Sequence, residues 1–124
     1  MSLKRIRNNI QFKPGDVDAI LCALPLVSLA QADTIQQTQL NQLNCKTASE
    51  KLMANVHTYT ANELRVMAVA IGFALDILRG TGNEIISTSD VDPDWKAELS
   101  KNLFVYTRLQ PLFDDLITRI ESNR

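Results

Sequence analysis

The chain has 124 residues, 45% of them hydrophobic and 22% charged, at a net charge of −1. That is enough apolar material to build a core, so disorder as the dominant state is excluded. So is the global electrostatic field that marks a nucleic-acid or membrane binder. Charge is nevertheless unevenly spread. Four of the 13 basic residues (Lys4, Arg5, Arg7 and Lys13) fall in the first 13 positions with no acid among them, leaving nine basic against 14 acidic residues in the remainder.

In chain order, residues 1–15 read as a basic N-terminal arm closed by the turn signal Pro14-Gly15, and residues 16–124 as a helical bundle domain. No apolar stretch with a small-residue cleavage site follows the basic start, so a cytoplasmic protein is expected, with both cysteines reduced. Cys22, in an apolar stretch, is expected in the core; Cys45, in a polar one, at the surface. Asp16 reads as the N-cap of a first helix carrying Val17, Ile20, Leu21 and Leu24 at helical spacing. Pro25 either stops this helix at Leu24 or kinks it and lets it run on through Leu26, Val27 and Leu29.

A second helix is expected over 33–57, opened by Asp33 and Gln36 in a capping-box pattern. Its first half is rich in glutamine and asparagine, and Ile35, Leu40 and Leu43 make no wide stripe. Leu52, Met53 and Val56 share one side of its second half, so the helix should pack only near its C-terminal end.

Residues 60–79 carry the strongest signal. Thr60-Ala61-Asn62-Glu63 is a capping box and Gly80 a left-handed stop. One apolar sector holds Leu64, Met67, Ile71, Leu75 and Leu78, and another Val66, Val69, Ala70, Phe73 and Ile77, so this helix must be covered on two sides. Its longest uncharged run, Val66 to Leu75, is far short of the about 20 residues a membrane span needs.

A linker is expected over 81–92, with Ile85 and Ile86 tucked against the body. A last helix is expected over 93–122, capped by Asp92 with Pro93 in its first position. Trp95, Leu99, Leu103, Tyr106, Phe113, Ile117 and Ile120 form its stripe; Pro111 should bend it on the open side, and Phe104 points away. The fold class is therefore all-α, a bundle of about four main helices with a central buried helix at 60–79 and a proline-bent C-terminal helix.

Chemistry-bearing patterns are sparse. His57 is the sole histidine and sits with two separated cysteines, short of a zinc or di-iron donor set, so no metal and no cofactor are expected. Asp90-Val91-Asp92-Pro93-Asp94 resembles a calcium loop but has Trp95 and Lys101 where an EF-hand needs glycine and glutamate. No nucleophile, base and orienter can be grouped, so nothing argues for an enzyme.

Two surfaces invite a partner. Arg65, Ala68, Gly72, Asp76 and Arg79 share one narrow sector of the central helix, small in the middle and charged at its ends. It suits close approach by another helix, a second subunit or a peptide, or else is a solvent strip with an Asp76–Arg79 pair. Phe104 adds an exposed aromatic. The leading expectation is a non-catalytic interaction protein binding a protein partner or itself, as a homodimer or within a larger assembly. The alternatives are a nucleic-acid accessory protein using Lys4, Arg5, Arg7 and Lys13, and a sensor or enzyme with a pocket between helices.

Overall fold

A computed structural model of the chain describes residues 11–29, 34–80 and 91–122. Among these there is no strand. The helices are α1 (Asp16–Ala23), α2 (Pro25–Leu29), α3 (Ile35–Met53), α4 (Ala61–Arg79), α5 (Pro93–Lys101) and α6 (Leu103–Ser122). The expected all-α bundle is present. At its centre α4 packs against α1, α2, α3, α5 and α6, which covers both of its apolar sectors. Leu64, Met67, Ala70, Ile71 and Ala74 are entirely buried. Val69 departs from its sector and is exposed.

The ends of α4 are closed as its sequence predicts. Thr60 Oγ1 accepts from the Glu63 amide at 3.1 Å, and Glu63 Oε1 accepts from the Thr60 amide at 2.7 Å. Gly80 takes a φ of 65°, which a side chain would resist.

The expected helix over 93–122 is interrupted. Asn102, at φ −107° and ψ 14°, separates α5 from α6, and its side-chain amide donates to the Glu98 carbonyl. α6 then continues through Pro111, which lies on its exposed side, where the carbonyl it deprives of a donor meets water. The buried stripe of α6 is Tyr106, Leu109, Phe113 and Leu116, with Ile117 and Ile120 only partly covered.

Other boundaries also move. Gly15, at φ 90°, is the N-cap of α1, and Asp16 is its first residue. The Asp16 carboxylate is buried, accepting from the Lys13 amide at 2.8 Å and from the Arg108 guanidinium of α6. Buried between two donors, it is a tie between elements rather than a cap. At Pro25 the chain kinks and resumes helically as α2, with Pro25 in the first position, where a missing N–H costs nothing. Thr34, one residue after the expected Asp33, caps α3 by accepting from the Gln37 amide at 3.0 Å. Asp33 itself lies outside the described residues, as do Ile85 and Ile86 of the expected linker.

α3 ends at Met53, short of residue 57. Asn55 adopts φ 58° and the Val56 amide donates to the Lys51 carbonyl at 2.9 Å, a Schellman closure with asparagine in the left-handed position. Met53, the last residue of α3, faces outward and the turn carries Val56 outward, so both are exposed instead of joining Leu52 in the core.

Polar ties join the helices across the core. Tyr106 donates its hydroxyl to the Ala19 carbonyl at 2.7 Å, and Trp95 Nε1 donates to the Cys22 carbonyl at 2.8 Å, so α6 and α5 both hold α1. Lys51 Nζ meets Glu63 Oε1 at 2.6 Å, fastening the C-terminal half of α3 to α4. Arg65 Nη2 meets Glu121 Oε1 at 3.1 Å, which with Gly72 lying near Gln110 shows α4 and α6 running antiparallel.

Candidate interaction surface

The strip on α4 faces α6 along much of its length. Arg65 is half-buried and donates to Asn62 and Glu121. Ala68, Gly72 and Asp76 are half-buried, and Arg79 is exposed. Between Arg65, Ala68 and Val69 on α4 and Asp114, Ile117 and Glu121 on α6 runs an open groove of ≈ 310 Å³.

A Cβ built on Gly72 has only the Gln110 amide nitrogen near it, at 3.9 Å, an ordinary contact. Glycine is therefore not required there by packing. Replacing it with alanine removes the backbone freedom that glycine gives the unfolded chain. Gly72→Ala is expected to stabilise the fold by about 0.5–1 kcal/mol, read as a higher midpoint in urea with an unchanged slope.

Lys4, Arg5 and Arg7 lie outside the described residues, while Lys13 is exposed and its backbone amide bonds Asp16. His57, the sole histidine, is pinned. Its Nε2 meets Asn55 Oδ1 at 2.7 Å, its Nδ1 meets Tyr59 Oη at 2.9 Å, and its ring stands edge-on to Phe12. Among the described residues no group of three histidines, cysteines or acids could hold a metal ion, and no helix is long and apolar enough to cross a membrane.

The thiols are also placed against expectation. Cys45 is buried in the α3 contact and Cys22 is only half-buried. Burial pushes the Cys45 thiol up; burial and then the Glu98 charge push Cys22 up. Both are thus moved away from the thiolate that nucleophilic chemistry needs. Tyr59 is pushed up to about 12 by burial and by the Glu63 charge, which keeps its phenol protonated.

The surface that stands out lies on α3. Cys45, Ala48 and Leu52 point into the bundle, whereas Ile35 is 78%, Leu40 51%, Leu43 55% and Met53 68% exposed. At 3.6 residues per turn, Leu43 points directly away from the buried line, with Ile35 and Met53 about 80° to one side of its direction and Leu40 about 60° to the other. From Thr34 to Cys45 there is no charged residue, although most of these side chains are exposed. Phe104, at 87%, is an isolated aromatic just after the α5–α6 break.

The α3 leucines escape a search for amphipathic stripes because their sector is narrow and faces the wrong way. The available signal was the uncharged run itself: a solvated helix face ordinarily carries lysine and glutamate. Comparison of the chain with protein-family models, with curated proteins and with solved structures returned no match.

Proposed function

We propose that the protein is a non-catalytic helical interaction module that holds a protein partner on the outward face of α3. One observation carries this. The first half of α3 extends as regular helix with Ile35, Leu40 and Leu43 exposed and no charge among its side chains. An isolated helix of such length is marginal in water and gains its stability from packing. Here the buried residues of α3, Cys45, Ala48 and Leu52, all lie beyond Asn44. Apolar side chains set among neutral amides resemble the composition of a contact more than that of a solvated face. Phe104 offers a second anchor of the aromatic type that dominates binding energy.

A photo-crosslinking residue placed at Leu43, in the full chain expressed in its own cells, is expected to yield a discrete adduct of defined mass. The same residue at Lys96, an exposed position on α5, is expected to yield none. Equal, diffuse labelling at both positions would remove the assignment of α3 as the contact.

A further inference from the structure

We propose that the occupant of this face is a second copy of the chain, docked α3 on α3 in antiparallel orientation about a twofold axis near Asn44. The inference rests on α3 being the interaction surface and names the partner. Its first support is self-complementarity. A twofold contact sets each surface against itself, so any net charge on it repels its copy. The stretch from Thr34 to Cys45 carries none, and its glutamines and asparagines each present both a donor and an acceptor. An amide can therefore satisfy the same amide on a second copy.

The second support is the spacing of the apolar residues. Ile35 and Met53 lie equally far before and after Asn44, and Leu43 is beside it. An antiparallel pair centred there sets Ile35 against the other copy's Met53 at both ends and brings the two Leu43 side chains to either side of the axis, about 3 Å apart along the helix direction. All three are more than half exposed and belong to the outward side of α3.

The charges select the direction. Lys46 and Glu50 are exposed on this side of the helix. A parallel pair would abut Lys46 with Lys46 and Glu50 with Glu50; the antiparallel pair places each near Gln42 and Thr38 of the other copy, which are neutral. A helix of 19 residues is about 28 Å long. One helix-on-helix contact of that length buries on the order of 1,000 Å² in total, at the low end of specific interfaces. The dimer is accordingly weak, forming in the micromolar range or above.

The full-length chain is expected to sediment as a concentration-dependent monomer–dimer mixture, and Leu43→Glu as a monomer at every concentration with unchanged helicity and melting temperature. Orientation is read from exposed single cysteines, in a Cys22→Ser background so that only buried Cys45 is left. Under a glutathione redox buffer, a mixture of Ile35→Cys and Met53→Cys proteins should bridge at least tenfold faster than either variant alone. Faster bridging within one variant would overturn the antiparallel pair. A wild-type monomer at all concentrations, with the Leu43 photo-adduct still formed in cells, would overturn the second copy but keep α3 as the surface. Loss of both signals would remove the surface as well.

Discussion

Truncating Tyr106 to alanine is expected to destabilise the fold by about 3–5 kcal/mol, the usual cost of emptying a large aromatic site in a packed core. Tyr106 is among the largest fully buried side chains of the chain, at 0% exposure, and stands on α6 where it reaches α1. Its hydroxyl donates to the Ala19 carbonyl at 2.7 Å. Burial raises its phenol well above the ordinary tyrosine value of 10, with the neighbouring Cys22 adding to the shift, so the donor proton is held throughout the neutral range. The ring and the hydroxyl can be separated. Tyr106→Phe keeps the packing and loses only the hydrogen bond, for about 1 kcal/mol. Urea unfolding of the three proteins, followed by far-ultraviolet circular dichroism, measures both steps. A Tyr106→Ala loss no larger than that of Tyr106→Phe would show that the ring is not what holds α6 to α1.

The fold was legible wherever local chemistry and burial agree. Helix α4 is the clear case: Thr60 and Glu63 close its start, Gly80 its end, and its apolar residues fill two sectors that the bundle covers. Legibility fails where a side chain serves a distant element. Asp16 has the sequence signature of an N-cap, yet its carboxylate is spent on Arg108, ninety-two residues away. Asn102 carries no proline or glycine signal, yet α5 and α6 separate there, and they hold α1 at different points, through Trp95 and Tyr106.

The candidate surface follows the same division. The strip from Arg65 to Arg79 was found by helical spacing alone, but spacing cannot tell which helix covers it; Gln110 and Glu121 of α6 do so in part. The free half of α3 was visible as an uncharged run, but its outward direction is set by Cys45, Ala48 and Leu52, whose burial depends on α2 and α4. Anchoring of α3 at one end therefore creates the exposed face at the other.

That anchor has a charged component, and breaking it is expected to cost about 2–3 kcal/mol in Glu63→Ala. The carboxylate is 2% exposed, whereas the Lys51 side chain is 32% exposed, so solvent screening keeps the figure below that of a fully buried pair. Alanine removes the acceptor that the Thr60 amide and Lys51 share. Burial alone would raise the Glu63 carboxyl. Hydrogen bonds from Lys51, Thr47 and the Thr60 amide, with the Lys51 charge, outweigh burial and hold it below its ordinary value of 4.5. The folded state thus binds fewer protons than the unfolded chain in that range. The stabilisation is full above the unfolded carboxyl's pKa and is lost as pH falls through the folded one. Wild-type stability should accordingly fall on acidification below about pH 5, and Glu63→Ala, already weaker at pH 7, should fall less steeply. Urea midpoints from pH 7 to pH 3 provide the comparison; parallel curves would show that Glu63 is not a source of the acid sensitivity. Since Lys51 and Glu63 join α3 to α4, the same variant is also expected to loosen α3 first. Amide exchange in residues 45–53 should accelerate more than in α6, linking the stability of this one ion pair to the presentation of Ile35, Leu40 and Leu43 on a rigid helix.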